Sequence, residues 1–212
     1  MNYDMFLKKI ESRISKMASA VYKSLFYSFS AIYKDDEQMA MQAIALEDVI
    51  NQSEREIDDL ISKFLTLYKP YGDDLRFIIS CLHIIGYLER IADHSVNISN
   101  VQVRLEHHQE VDLGELRELY ENIDFMMSST IKAFSERDIS LARLVAKFDE
   151  QVDAMYEIVY TRMLSRPTTD VRDVEIITSY ILVARYFERI GDYITNICER
   201  IIFLISGLKE HY

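Results

Sequence analysis

The chain has 212 residues, enough for one large domain or two small ones. Its hydrophobic content of 49% supports a sizeable core, while 5 glycines and 2 prolines are too few for a turn-rich β-sandwich and suit long helices. A formal net charge of −11 without any basic tract argues against binding to nucleic acid or to an anionic membrane surface, and it suits cations or a basic protein patch better.

We expect an all-α fold of six long helices, because apolar residues recur at threes and fours along almost the whole chain. The first apolar stripe begins at Phe6 and ends at Phe29, and "KDDEQ" at 34–38 then breaks it and offers acidic caps to the next helix. The second helix ends at "YKPYGDD", because Pro70 cannot continue a helix interior cheaply. A third helix then covers about 73–101.

The second half of the chain repeats this plan. Its fourth helix stops at "SERDIS", its fifth at "SRPTTDVRD", and its sixth runs from about 171 to 208. "ERDISLA" corresponds to "KDDEQMA" 102 residues earlier, and Pro167 corresponds to Pro70. The repeat therefore predicts two tandem three-helix bundles, 1–105 and 106–212, joined near "RLEHHQEVDLGEL".

Two polar motifs recur 99 residues apart, in "YLERIADHSVNI" and "YFERIGDYITNI". Each places Glu, Asp and Asn at steps of four, so that on a helix they share one face at the border of the apolar face. A small residue inside each motif, Ala92 or Gly191, would let a neighbouring helix come close. Carboxylates one turn apart repel each other, and a bound cation would remove that cost. The motif residues are Glu89, Asp93 and Asn97 in the first half and Glu188, Asp192 and Asn196 in the second.

The helix before each motif offers further oxygen ligands, in "LEDVINQSERE" and "FDEQVDAMYE". All-oxygen ligand sets suit hard or borderline cations and multinuclear clusters, so we expect metal binding in both halves. The structural alternative is that pairs of acids four residues apart arise by chance in a chain with 35 Asp and Glu. The candidate metal ligands are Glu47, Asn51, Glu89, Asp93, Asp149, Asp153, Glu188 and Asp192, with Asn97, Asn196 and His94 as further candidates near them.

The chain resembles the PhoU family of phosphate-uptake regulators. The resemblance rests on "KPYGDDLRFIISCLHIIGYLERIADHSVNI" and on "ARYFERIGDYITNICERIIFL", and with the duplicated plan it covers nearly the whole chain. It implies two bundles side by side, with clusters of iron, zinc or another metal ion held by the Glu and Asp motifs. It also implies a non-enzymatic protein that restrains phosphate import and signalling by contacting the ATPase subunit of the phosphate ABC transporter and a phosphate-sensing histidine kinase.

The chain departs from the family pattern at three positions. Ala92 stands where glycine is usual, which is a mild change. Asn51 stands where an acid is usual, so we expect the first site to bind metal more weakly than the second. Tyr193 replaces the usual histidine and removes a potential ligand from the second site. His94, its counterpart in the first motif, is more simply read as a structural histidine than as a ligand.

Two alternative functions stay open. A carboxylate-bridged metal enzyme usually has histidine ligands with Glu-x-x-His spacing, which neither motif supplies, and no serine or cysteine nucleophile set is visible. A metal-free helical scaffold is the other alternative. Candidate contacts to a partner protein are Arg76, Arg90 and Arg189, although a salt bridge to Asp73 or Asp74 explains Arg76 equally well.

Cellular context follows from a few further features. Cys81 and Cys198 lie in apolar helical stretches and are expected to be buried free thiols in a reducing compartment. No signal sequence opens the chain, and the most apolar runs are too short to span a bilayer, so we expect a cytoplasmic protein. Plentiful apolar and aromatic residues favour a homodimer.

Overall fold

A computed structural model describes residues 2–105 and 113–212 as six α-helices without any strand among them. The predicted all-α fold and all six predicted helices are confirmed, with ends within a few residues of those expected. The predicted boundary between 105 and 106 adjoins a segment, 106–112, that lies outside the described residues together with His107 and His108. The helices are α1 Tyr3–Lys34, α2 Glu37–Tyr68, α3 Gly72–Arg104, α4 Gly114–Glu136, α5 Ile139–Leu164 and α6 Val171–Ser206.

The turns that follow α1 and α4 are copies of one another. Asp35 and Arg137, which are 102 residues apart, end these helices in the left-handed conformation with φ of 53° and 56°. Asp36 and Asp138 follow them and cap the next helix through their side chains. Capping carboxylates satisfy backbone N–H groups that have no partner within the helix. The acidic caps predicted in "KDDEQ" are therefore confirmed, and the repeat extends to backbone conformation.

α3 and α6 pack against each other and join the two bundles. They run antiparallel, because Arg76 at the start of α3 donates from Nε to the backbone oxygen of Leu204 near the end of α6, at 3.1 Å. α1 and α4 also touch across the bundles, where the Tyr22 hydroxyl donates to Asp124 Oδ1 at 2.8 Å. Each polar motif therefore lies on a helix that contacts both its own bundle and the other one.

The core is continuous between the bundles and contains both cysteines. Cys81 and Cys198 are fully buried free thiols, as predicted, and burial raises the pKa of the Cys198 thiol to about 12. Thiols held protonated in this way are poor nucleophiles and poor metal ligands. Of the helices in the described part of the chain, none combines the length and apolarity needed to cross a membrane.

Two carboxylate clusters between helices

The polar motifs lie at helix borders, as their spacing predicts. Glu89 and Asp93 on α3 are half-buried and belong to a cluster with acids of α2. Glu188 and Asp192 on α6 are half-buried and belong to a cluster with acids of α5. We call these groups the first and second carboxylate clusters. The first comprises Glu47, Asn51, Glu54, Glu89 and Asp93, and the second comprises Asp149, Asp153, Glu188 and Asp192.

In the second cluster, Asp149 is the most perturbed acid. Burial is the largest cause that raises the pKa of its carboxyl to about 7, and the charges of Asp153, Asp192 and Glu188 contribute to the same rise. The Thr195 hydroxyl faces this carboxylate and acts to lower the pKa, although the two groups do not reach full hydrogen-bond geometry. Asp149 therefore sits among like charges without the donors that a buried carboxylate needs.

Gly191 is the reason that Asp149 can approach α6 so closely. A Cβ atom at position 191 would lie 2.7 Å from Asp149 Oδ1 and 3.2 Å from Val152 Cγ1. Carbon atoms in real structures do not approach an oxygen this closely, so a side chain at 191 would push the carboxylate away. The expectation that a small residue in the motif permits close helix approach is confirmed at this position.

Glu188 and Asp192 complete the second cluster. Burial raises the pKa of Glu188 and so does Asp192, while Arg185 and Arg189 act in the opposite direction. Arg185 forms an ion pair with Glu188 Oε1, and the other oxygen, Oε2, is buried without a hydrogen-bond donor. The pKa of Asp192 is likewise raised by burial, against a lowering by Arg189.

The first cluster includes an acid that the sequence offered but that was not among the candidate ligands. Burial raises the pKa of Glu89, and the next contributions come from Asp93 and Glu54, with Glu47 contributing less. Glu54 is itself half-buried, and its pKa is raised by burial and by the charges of Asp58 and Asp93. The structure therefore brings Glu47, Glu54, Glu89 and Asp93 together on the facing sides of α2 and α3.

Asn51 lies on the same face of α2 as Glu47 and Glu54, and its Oδ1 is buried without a donor. Its counterpart in the repeat is Asp153, so the first cluster loses one negative charge there. Glu54 replaces that charge, since its own counterpart 102 residues later is Tyr156. Aligning the two halves does not reveal that Glu54 compensates for Asn51, because an alignment compares equivalent positions only.

The donor set of both clusters fits a hard or borderline cation. It is made of oxygens that are half-buried except at the exposed Asp153, its carboxylates repel one another, and acceptors in both clusters lack donors. Within 2–105 and 113–212, no three His, Cys, Asp or Glu side chains are arranged to hold a metal ion as they stand. A cation would supply the charge and the partners that Asp149 Oδ1 and Asn51 Oδ1 lack.

The three further candidates differ in what they contact. His94 stacks on Tyr186 and Tyr193, with ring centroids 5.5 and 5.7 Å away, and its Nδ1 is buried without a partner. Burial lowers the pKa of this imidazole, so the neutral ring is favoured. Asn196 donates from Nδ2 to the backbone oxygen of Asp192 at 2.7 Å, which engages its amide within α6. Asn97 is half-buried on α3.

The three candidate contact arginines have different surroundings. Arg76 pairs with Asp73 at 3.0 Å and also bonds to Leu204, so it holds the end of α6 against the start of α3. The predicted salt bridge to Asp73 is present, and the bond to α6 was not foreseen. Arg90 and Arg189 are exposed. The Arg90 guanidinium lies 5.7 Å from the Tyr193 ring centroid.

Comparisons with known proteins point the same way as the fold and the motifs. The PhoU domain family matches residues 14–101 and 116–201, which takes in both motifs. A relative from Clostridium acetobutylicum, a "phosphate-specific transport system accessory protein PhoU homolog", is 31% identical over 208 residues, covering 97% of this chain and 94% of the relative. A second, homolog 1 from Thermotoga maritima, is 30% identical over 214 residues, covering 99% of this chain and 92% of its own.

Two solved structures share the fold over their full length. The crystal structure of the phosphate transport system regulatory protein PhoU from Streptococcus pneumoniae superposes with a TM-score of 0.91 at 26% identity, covering all of both chains. That of PhoU from Pseudomonas aeruginosa has a TM-score of 0.91 at 30% identity, covering 98% of this chain and 100% of that one. With two family matches in register with its two bundles, the chain belongs to the PhoU family.

Proposed function

We propose that this protein is an accessory regulator of phosphate transport that acts by contacting other proteins and not by catalysis. The observation that carries the proposal is family membership across both bundles, together with relatives named as phosphate-specific transport system accessory proteins. The expected partners are the ATPase subunit of a phosphate ABC transporter and a phosphate-sensing histidine kinase, whose activity it would restrain from the cytoplasm.

A contact surface for such a partner is available around Arg90 and Arg189. These exposed arginines occupy equivalent positions in the two motifs, one on α3 and one on α6. In a chain with a net charge of −11, they are suited to an acidic patch on the partner. Between them lies the aromatic stack of His94 and Tyr193, which offers apolar area at the same place.

The proposed contact is tested by binding of the purified protein to the transporter ATPase from the same cell. We expect the double charge reversal Arg90→Glu/Arg189→Glu to weaken binding at least tenfold, because two favourable pairs become repulsive. The matched control is Lys16→Glu/Lys23→Glu, which reverses two exposed charges on α1. Equal binding by the native protein and both variants would show that Arg90 and Arg189 do not contact the ATPase. Absence of binding by the native protein would show that the ATPase is not the partner.

We also infer that both carboxylate clusters hold metal ions, with iron or zinc as the ions to be sought first. Burial and neighbouring carboxylates raise the pKa of Glu89 in the first cluster and of Asp149 in the second, and this repulsion supports the inference. Elemental analysis of protein purified without added metal tests it, using Glu89→Gln/Asp93→Asn and Glu188→Gln/Asp192→Asn. Each folded variant should lose about half of the bound metal if the two clusters load independently.

A metal-free result would favour the scaffold alternative. If the native protein stays free of metal after incubation with iron and with zinc, the clusters are better explained as acidic contact surfaces. Light scattering then decides whether two copies associate, as the sequence leads us to expect. The metal-enzyme alternative has no specific observation in its favour, because both clusters lie at half-exposed helix borders.

A further inference from the structure

Two cationic side chains and a histidine meet on the surface between α3 and α6, on a face different from both carboxylate clusters. His83 is exposed on α3 and lies opposite Arg200 of α6, because the two helices run antiparallel. Lys209, in the segment after α6, places its Nζ 6.0 Å from the centroid of the Phe203 ring. We call His83, Arg200 and Lys209 the cationic cluster.

The charges in this cluster act on one another without compensation. Burial lowers the pKa of His83, and Arg200 and then Lys209 lower it further by repulsion. Neither Arg200 nor Lys209 forms a salt bridge with any carboxylate in the described part of the chain. Two neighbouring cations without a paired acid, beside a histidine whose neutral form they favour, stand out in a protein of net charge −11.

Arg200 also has an unused hydrogen-bond donor. Its Nε is buried and has no acceptor, although the side chain as a whole is only partly buried. Buried N–H groups are nearly always bonded, and an unbonded one is costly, more so on a charged group. The donor therefore calls for an acceptor that the protein itself does not provide.

The nearest acids in the sequence are engaged in other contacts. Glu199 lies on a different face of α6. There its Oε1 accepts a hydrogen bond from the Tyr212 backbone N–H at 3.1 Å, and its Oε2 lies 3.6 Å from His211 Nδ1. Glu210 pairs with Arg143 of α5 at 2.5 Å. Glu210 is therefore directed toward α5, whereas its neighbour Lys209 lies near His83 of α3.

We propose that His83, Arg200 and Lys209 form a binding site for a small tetrahedral oxyanion such as inorganic phosphate. An arginine supplies directional N–H donors to such an anion, and a lysine supplies a mobile point charge. A dianion neutralises the repulsion within the cluster and gives the buried Arg200 Nε its acceptor. The site requires neither the metal ions nor the transporter contact, so it goes beyond the function proposed above and can be tested separately.

The test is a titration of metal-free protein with inorganic phosphate at pH 7, followed by NMR of the His83 imidazole. Treatment with a chelator removes metal ions, which would otherwise bind phosphate themselves. His83→Gln assigns the resonance among the 5 histidines. We expect saturable shifts with phosphate, competition by sulfate, and no saturable effect of acetate at equal ionic strength, because acetate carries one charge and lacks tetrahedral oxygens.

Variants locate the site. Arg200→Gln and Lys209→Gln should each weaken phosphate binding roughly tenfold, the effect of losing one charge-assisted hydrogen bond. Lys16→Gln removes an exposed lysine on α1 and should leave binding unchanged. Since Lys209 is exposed and lies outside the helices, its variant should fold even if Arg200→Gln does not.

Three results would overturn the proposal. The first is the absence of saturable phosphate shifts at His83. The second is phosphate affinity that is unchanged in folded Arg200→Gln and Lys209→Gln. The third is sedimentation of the protein with phosphatidylglycerol vesicles without any response to free phosphate, because that would assign the cationic cluster to a charged surface.

Discussion

His94 of α3 stacks against Tyr193 of α6, and the two residues occupy the same position in the two motifs. Their ring centroids are 5.7 Å apart and their planes differ by 16°. The flanking contacts repeat the relationship, because His94 also stacks on Tyr186, and Tyr193 stacks on Tyr87, the counterpart of Tyr186. An approximate twofold axis therefore passes beside this pair, and the aromatic stack joins the bundles between the two carboxylate clusters.

This stack should couple the stability of the two bundles. A double-mutant cycle with His94→Ala and Tyr193→Ala is expected to give an interaction energy of about 0.5–1.5 kcal/mol, the usual range for aromatic pairs. Urea unfolding of metal-free protein measures it. A control cycle of His94→Ala with Phe125→Ala, on α4, should give a coupling near zero. Equal couplings in the two cycles would mean that the stack is incidental.

Gly86 of α3 and Gly191 of α6 lie on the two helices that carry the motifs, and substituting them by alanine should change the stability of the protein in opposite directions. A Cβ at Gly86 meets nothing within 4 Å, so Gly86→Ala should stabilise the protein by about 0.5–1 kcal/mol through the helix preference of alanine. A Cβ at Gly191 meets Asp149 Oδ1 at 2.7 Å, so Gly191→Ala should destabilise it by about 1–3 kcal/mol.

Denaturant unfolding of both glycine variants at one pH provides the comparison. Equal stability of Gly191→Ala and Gly86→Ala would show that α5 and α6 are not tightly packed at Gly191. Because Asp149 must move in the Gly191 variant, that variant should also carry less metal in the second cluster, whereas Gly86→Ala serves as its control.

The fold followed from local signals in the sequence. Helix periodicity, Pro70, Pro167 and the acidic caps act over a few residues, so the number of helices and their ends were predictable. The repeat then indicated which helices pair within a bundle. The antiparallel contact of α3 with α6 was not predictable, because the bond from Arg76 to Leu204 joins residues 128 apart in sequence.

The candidate site was predictable only where the two halves agree. Glu89 and Glu188 stood out because they recur. Glu54 was visible as one acid of "LEDVINQSERE", but its place in the first cluster depends on how α2 faces α3. Its counterpart, Tyr156, carries no charge, so no repeat pattern marked it. Arg185 pairs with Glu188 three residues away and could have been noted from helix spacing.

Asp149 should make the metal-free protein less stable as the pH rises. Its pKa is raised to about 7 in the folded protein, against an ordinary value near 4 in the unfolded chain. Between about pH 4 and pH 7 the folded state therefore binds a proton that the unfolded state has lost, and stability falls with increasing pH across this window. Below pH 4 both states are protonated, and above pH 7 this group adds no further change.

Asp149→Asn isolates this effect, because the amide does not titrate. In the presence of a chelator, urea unfolding at pH 5, 6 and 8 should show a smaller loss of stability with pH in Asp149→Asn than in the native protein. Asp59→Asn, at an exposed position on α2, is the control and should behave like the native protein. Identical pH profiles for all three proteins would contradict the perturbed carboxyl.

Glu54 should be needed for metal binding in the first cluster. Asn51 on its own led to the expectation of a weaker first site, but Glu54 restores the missing charge and faces Glu89 and Asp93. The second cluster, in turn, has Arg185 paired with Glu188, whereas the counterpart of Arg185 is Gly86, which brings no charge. We therefore expect the first cluster to hold metal at least as well as the second.

Glu54→Gln and Glu56→Gln provide a closely matched comparison on one helix. Glu56 is exposed and pairs with Arg13 of α1, away from the cluster, so its removal should leave the metal content unchanged. Glu54→Gln should lower the metal content by the share of the first cluster, about half. Elemental analysis of both variants, with circular dichroism as the check on folding, decides the point. Full metal content in folded Glu54→Gln would mean that Glu54 is not a ligand of the first cluster. The earlier expectation, that Asn51 makes the first site weaker than the second, would then stand.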